Sequence, residues 1–363
     1  MVTFDPTIGS GGIEGRTNAY TACLLKRGFH VEVAAVSPAG RTSEEPYLGT
    51  RLVHFSSGIL NLPRTFSALV RMITSSSLDS VFFLSGGSTP IGVLLLGFSK
   101  FTGRKTGIFF YGRDVLQARR RPVGLVNLVL SIMLAGKVAT NSQYTANLLP
   151  VRPRNPPILL YPGVDPDIAS VVGVSRDVSS PHVLFVGRLI KRKGADILLE
   201  SFGQLRSRAR TARLDIVGDG PEMTNLRSLT EGLFLEDVVT FYGALYGTSL
   251  WKRYAEASIF VMPSRESSED AEGFGTVFLE AGAFGVPSIG SRTGGIPEAV
   301  IDGVTGKLVE SEDVDGLAET IKGLLDNPDE LNRLGKNARA RAQELSWEAS
   351  TDEVLQLMGA QGE

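Results

Sequence analysis

Cysteine is almost missing from this chain. Cys23 is the one thiol in 363 residues, which excludes an internal disulfide and a cysteine-based zinc site. Histidine is nearly as scarce: His30, His54 and His182 fall at no metal-ligand spacing, so imidazole-held metal chemistry is not expected. Neither charge is in excess. The 37 Lys and Arg face 39 Asp and Glu, a net charge of -2 that offers no global attraction to nucleic acid. Long apolar runs are also lacking: "VFFLSGG" (81–87), "IGVLLLGF" (91–98) and "GLVNLVLSIMLAG" (124–136) all fall short of the ~20 residues that span a bilayer. "MVTFDPTIGS" has no basic start followed by an apolar core, so a cytoplasmic protein is expected.

What is present is alternation. "HVEVAAV" (30–36), "RLVHF" (51–55), "SVFFL" (80–84), "GIFFY" (107–111) and "KVAT" (137–140) read as strands, several of them apolar on both faces as buried parallel strands are. Amphipathic segments intervene, such as "RTNAYTACLLKRG", closed by Gly28 at a helix C-cap position. The pattern restarts after "LLYPGVDPD" (159–167) with "HVLFVG" (182–187), "RLDIVG" (213–218), "VVTFYG" (238–243), "SIFVMP" (258–263) and "VPSIG" (286–290). Strands alternating with helices imply βαβ units, and two such runs imply two doubly wound α/β domains facing a cleft. A strandless helical tail is expected to pack outside and to cross back to the first domain.

Four stretches can carry chemistry. "IGSGGIEGR" (8–16) places Gly11 and Gly12 where backbone amides can approach a phosphate, although a tight turn without ligand explains it as well. "VGRLIKRKG" (186–194) follows a strand, and ligands of open α/β sheets bind at carboxyl ends of strands. After Gly187, Arg188 and Lys193 put two cations there, suited to a diphosphate; Lys191 and Arg192 in the same run equally suggest a solvated basic loop. In "IVGDGPE" (216–222), the turn at Gly218, Asp219 and Gly220 can bring backbone close to a flat ring, and Tyr242 in "FYG" ends the next strand similarly. A structural turn explains both equally well.

The fourth stretch, 262–309, holds "EGFGTVFLE" (272–280). A helix is expected to begin near Gly275, which leaves Glu272 in the preceding loop and Glu280 roughly 7 to 8 Å along the axis from Gly275. Two acids so placed suit two hydroxyl-bearing parts of one extended ligand, with the helix N-terminus holding its negative middle. "TGGIPE" (293–298) is expected to add free amides at Gly294, Gly295 and Ile296.

In this order and spacing, "SGGIE", "VGRLIKRKG", "VGDGP", the two glutamates and "TGGIPEAVIDGVTGKLV" resemble the family-4 retaining glycosyltransferases, in particular the phosphatidylinositol and lipopolysaccharide mannosyltransferase-like branches. The resemblance covers nearly the whole chain and implies the GT-B fold: two Rossmann-like domains with a nucleotide-sugar in the central cleft. It implies an acceptor-binding domain at 1–167 carrying the C-terminal helix 346–363, and a donor-binding domain at 168–345. Arg188 and Lys193 would neutralise the diphosphate. Glu272 would bind donor-sugar hydroxyls beside the amides of Gly273, Phe274, Gly275 and Thr276, and Glu280 would hold the ribose. Gly11 and Gly12 would approach the diphosphate, and Gly218 to Gly220 with Tyr242 would border the base. No metal or other cofactor is implied. "DPD" (165–167) is read as linker rather than as a metal motif.

Two features depart from the family pattern. Tyr111 stands where many relatives have His, and with a reference pKa of about 10 it cannot be a general base at neutral pH. Asp114 is then the nearest side-chain proton acceptor; otherwise Tyr111 positions sugar or acceptor. The first strand is also short, either in fact or because the start is misplaced.

The expected reaction moves a hexose from GDP-mannose or a UDP-sugar to a hydroxyl of a glycan or lipid-linked acceptor. The alternatives are a sugar phosphorylase or nucleotide-sugar epimerase on the same fold, and a non-enzymatic nucleotide-sugar binding subunit. For "QARRRPVGLVNLVLSIMLAGK" (117–137) two readings stand. One is contact with the inner face of an anionic membrane. The other, favoured here, is a buried helix preceded by a basic loop.

Overall fold

Segments read as apolar on both faces become parallel strands. The computed structural model describes residues 2–3, 12–37, 43–47, 50–56, 67, 69–71, 73–74, 79–84, 88–165, 167–171, 173, 180–206, 212–268 and 270–358. The chain divides into two units, Met1–Pro162 with Trp347–Glu363, and Gly163–Ser346.

The first unit holds β1 (Val2–Thr3), β2 (Glu32–Ser37), β3 (Ser43–Tyr47), β4 (Thr50–Ser56), β5 (Ser80–Phe83), β6 (Lys105–Phe110), β7 (Lys137–Thr140) and β8 (Ile158–Leu159). Their order is β3-β4-β2-β1-β5-β6-β7-β8, parallel throughout except for β3 against β4. Helices α1 (Gly12–Lys26), α2 (Pro90–Phe101), α3 (Arg113–Arg119), α4 (Pro122–Leu134) and α5 (Gln143–Asn147) connect them. Gly28, with φ of +79°, ends the turn after α1 by donating to Leu25 O at 2.9 Å.

The favoured reading of 117–137 fails. Only one face of α4, with Leu128, Ser131 and Ile132, is buried, because α4 packs through that face alone. Val123, Val126, Leu130 and Met133 on the other face are 69%, 56%, 41% and 68% exposed.

The second unit holds β9 (His182–Val186), β10 (Arg213–Val217), β11 (Val239–Gly243), β12 (Ala257–Met262), β13 (Ser288–Ser291) and β14 (Gly306–Val309), all parallel, in the order β11-β10-β9-β12-β13-β14. This is the Rossmann order, and its switch point lies between β9 and β12. Helices α6 (Ala195–Arg206), α7 (Met223–Gly232), α8 (Gly247–Glu256), α9 (Thr276–Ala283), α10 (Ile296–Ala299), α11 (Val314–Leu325) and α12 (Pro328–Glu344) follow these strands. Phe185, Ile216, Phe260 and Ile289 are fully buried and form the sheet's core. Asp165 accepts the Asp167 amide at 3.0 Å, a local side-chain contact just ahead of the 3-10 turn Ile168–Val171.

The last helix, α13 (Trp347–Met358), belongs to the first unit. It lies on α1, where Tyr20 Oη and Ser350 Oγ share a 2.8 Å hydrogen bond and Arg27 pairs with Asp352 at 2.6 Å. Arg16 is only 3% exposed, and its guanidinium sits 4.5 Å, 5.2 Å and 5.9 Å from the ring centres of Phe109, Tyr111 and Trp347. It donates to Leu160 O at 3.3 Å. Three aromatic faces around one desolvated cation thus fasten α1, β6 and α13 together.

Candidate functional site

A switch point leaves the carboxyl ends of two neighbouring strands uncovered by a shared crossover. In the second unit those ends are the segments after β9 and after β12, and the charged residues gather there. After β9 the chain makes a 3-10 turn, Lys191–Lys193, closed by Gly194 with φ of +73°. Three side chains per turn splay by roughly 120°, so the three successive cations take different directions. Lys191 points outward, with 73% of its side chain exposed. Arg192 donates to Glu272 at 2.9 Å and pairs with Asp270 at 3.1 Å. Lys193 donates to Glu272 Oε2 and lies 3.5 Å from Met262 Sδ.

Glu272 is therefore held by two cations, in side-chain surroundings 13–18% exposed. Burial alone would raise its carboxyl; Lys193 and Arg192 reverse that and hold it at about 2. Such a group stays a carboxylate at any working pH. It can accept hydroxyl hydrogens but is no general acid.

The loop after β12 is fixed to the loop after β9. A Cβ on Gly194 would meet Pro263 O at 2.0 Å. The Arg265 amide donates to Arg192 O at 2.7 Å, and its guanidinium grips Asp196 with bonds of 2.7 Å and 3.0 Å. Arg265 was missed in the sequence because nothing local marks it as the clamp between two loops.

Helix α9 begins at Thr276, as expected, with Gly275 at φ of +91° as an N-cap lacking a side-chain hydrogen bond. Its first amides have no intrahelical acceptor, and its positive end lies next to Glu272 in the chain. Glu280, one turn in, accepts from the Tyr254 hydroxyl at 2.8 Å. Burial raises its carboxyl, with Tyr254 and Lys193 pulling the other way. Tyr254 carried no sequence signal.

"TGGIPE" behaves otherwise than expected. Its amides are occupied: Gly294 donates to Glu266 at 3.1 Å, Gly295 to Glu272 O at 2.8 Å and Ile296 to Thr293 O at 3.2 Å. A Cβ on Gly294 would meet Glu272 O at 2.4 Å, and one on Gly295 would meet Gly273 O at 2.1 Å. These glycines let one loop lie directly on "EGF" and hold Glu272 in place.

Gly218 and Gly220 also serve close backbone approach. A Cβ on Gly218 would sit 1.8 Å from Gly187 O, and one on Gly220 2.4 Å from Leu189 O. Gly187 donates to Val217 O at 3.0 Å, and Leu189 to Asp219 O at 2.8 Å, which locks the two turns together. Asp219 accepts the Gly220 amide at 2.7 Å. Arg188 emerges from this pair of turns exposed. Tyr242 lies two strands from β9 on the edge strand β11, where its hydroxyl accepts from Arg253 at 2.9 Å. Thr276 and Phe274 flank the α9 N-cap, Phe274 buried.

Gly12, Tyr111 and Asp114 belong to the first unit. Gly11 lies outside the described residues, and Gly12 is the first residue of α1. Asp114 accepts the amides of Tyr111 at 3.0 Å and Val115 at 2.9 Å, and burial still pushes its carboxyl up to about 6. That is a suitable value for proton exchange near neutrality. Tyr111 packs on Phe109, ring centres 4.6 Å apart.

Two Rossmann-like sheets, with cations and a carboxylate at the switch point of the second, define a glycosyltransferase of the GT-B fold once they are set beside known proteins. The family described as glycosyl transferases group 1 matches residues 174–341. The GDP-mannose-dependent alpha-(1-6)-phosphatidylinositol monomannoside mannosyltransferase of Mycolicibacterium smegmatis is 28% identical over 359 residues, 93% of this chain and 92% of that protein. The protein of the same name from Mycobacterium tuberculosis H37Rv is 31% identical over 307 residues, 80% of this chain and 78% of its own length. Anabaena HepE, solved with UDP and glucose, shares the fold with a TM-score of 0.76 over 99% of each chain at 19% identity. The chain belongs to the group 1 glycosyl transferases.

Proposed function

We propose that the protein transfers a mannosyl group from GDP-mannose to a hydroxyl of a lipid-linked glycan, with retention of configuration and without a metal. The relatives named for GDP-mannose and for phosphatidylinositol mannoside acceptors support the donor and the acceptor class. An acceptor of that kind brings the enzyme to the inner face of a membrane.

The observation that carries the reading is the Lys193–Glu272–Arg192 cluster at the switch point. Glu272, held ionised, accepts hydrogens from the donor-sugar hydroxyls. Lys193 and Arg188, with the first amides of α9, take the diphosphate, and Glu280 takes the ribose hydroxyls. The C1–O bond of the donor breaks, and the electron pair leaves with the diphosphate. The acceptor oxygen bonds to C1 on the same face, and its proton passes to the departing phosphate oxygen. Fixed cations and amides aimed at that developing charge supply the main catalytic contribution. Asp114 and Tyr111 serve the acceptor side.

A thermal-shift panel of GDP, GDP-mannose, UDP and UDP-glucose tests the donor, because a tight ligand stabilises by mass action. GDP-mannose is expected to raise the midpoint most and GDP next, with turnover unchanged by EDTA. A larger shift with UDP-glucose than with GDP-mannose overturns the donor assignment, and loss of turnover in EDTA overturns the metal-free mechanism.

A further inference from the structure

A helix that faces water on one side is normally polar on that side. Helix α4 is not. From Pro122 to Leu134 it carries no charged residue, and its solvent-facing stripe is Val123, Val126, Leu130 and Met133. The spacing of three, four and three puts all four on one line along the helix. Helix α2 extends this surface. Leu94 is 59% exposed and Phe101 88% exposed, and the two lie seven residues apart on one face with Gly97 between them. A Cβ on Gly97 would lie 3.8 Å from Leu134 Cδ1, so that face of α2 borders the end of α4. A contiguous apolar surface of this kind marks an interaction site.

Charge identifies the occupant. Asp114 is the only acid between Asp79 and Asp165, a stretch holding ten Lys and Arg, although the chain as a whole is balanced. Arg120 and Arg121 are exposed at the N-terminal end of α4, and Lys100 is exposed beside Phe101. At about 1.5 Å per residue α4 is roughly 20 Å long, too short to cross a bilayer but long enough to lie in its surface. An apolar stripe flanked by cations is the form of an interfacial helix.

We infer that the α2–α4 face of the first unit docks on an anionic membrane, with Val126, Leu130, Met133 and Phe101 entering the headgroup–acyl boundary and Arg120 and Arg121 against the lipid phosphates. Arg119 is kept for the fold, since it donates to Leu148 O at 3.1 Å. The surface deepens the lipid-acceptor reading by naming where the lipid phase is met. Docking requires no turnover, so the two readings fail independently.

The test is flotation of the full chain with vesicles of phosphatidylcholine alone and of phosphatidylcholine with phosphatidylglycerol. Binding is expected only to the anionic vesicles. Arg120→Ser with Arg121→Ser is expected to weaken it roughly fivefold per arginine, about thirtyfold together. Leu130→Ser with Met133→Gln is expected to abolish it, with the GDP thermal shift unchanged in both double variants. A Met133→Trp variant is expected to shift its emission to the blue on anionic vesicles. No binding by the unmodified chain overturns the inference, as does binding that ignores both double variants. Concentration-dependent dimerisation lost in Leu130→Ser with Met133→Gln also overturns it, because a second copy then covers the face.

Discussion

Replacing Glu272 by Gln removes one charge from the Lys193–Glu272–Arg192 cluster while keeping the shape of the side chain. The carboxyl titrates at about 2 in the fold against the usual 4.5. A folded value below the unfolded one means that the carboxylate stabilises the fold fully above about 4.5 and that this stabilisation is lost as pH falls toward 2. The interval corresponds to about 3 kcal/mol, of which about 2 has gone by pH 3. The figure agrees with the ~3 to 5 kcal/mol for breaking a buried pair, less the share that Asp270 retains for Arg192. Each unit contains one of the two tryptophans, Trp251 in the second and Trp347 in the first. In a Trp347→Phe background, urea unfolding followed by Trp251 emission reads the second unit alone. At pH 7 Glu272→Gln is expected to lower its stability by about 3 kcal/mol, and the gap should shrink to about 1 at pH 3. The variant also leaves two cations short of a counter-charge, so GDP should stabilise it more than it stabilises the unmodified chain. A gap below about 1 kcal/mol at pH 7, or one that does not narrow with acid, refutes the electrostatic account of the cluster.

Three further substitutions separate close approach from backbone strain and cage packing from mere burial. Gly218→Ala drives a Cβ to 1.8 Å from Gly187 O, whereas Gly243, at φ of +69°, has open space at its Cβ position. Urea midpoints should show Gly218→Ala costing at least ~3 kcal/mol and Gly243→Ala about 1, and equal costs would remove the interlocked-turn argument. Arg16→Met keeps the length of a buried side chain but removes its cation from Phe109, Tyr111 and Trp347. With Trp251→Phe as background, Trp347 emission should report a loss of roughly 2 kcal/mol in the first unit. No loss would mean that the three rings pack equally well without the charge.

The repeated strand–helix pattern is legible in the chain because buried parallel strands are continuous apolar runs. "HVLFVG" and "SIFVMP" end within a residue or so of β9 and β12, and the start of α9 just after Gly275, its N-cap, follows from glycine chemistry. Strand β3 is not legible: Ser43–Tyr47 contains two glutamates and a proline and shows no apolar run. An edge strand pairs on one side only and tolerates both. Within "KRK" the sequence cannot rank three cations, since the 3-10 turn distributes them. Arg192, which the sequence leaves open between a solvated basic loop and a ligand site, is a direct partner of Glu272. The amides of "TGGIPE" were expected to be free because sequence shows the donors and not the neighbouring carbonyls. The exposed stripe of α4 escaped for a related reason: an apolar helix reads as buried until its neighbours are placed.

The central claim is that Glu272 and Lys193, at the switch point of the second sheet, form the donor site. Its most direct test is the steady-state turnover of GDP-mannose with acceptor by Glu272→Ala and Lys193→Ala, each confirmed folded by its Trp251 emission. Loss of one preorganised charge contact predicts a fall of at least ~10²-fold in each variant. Near-normal turnover in both would contradict the account.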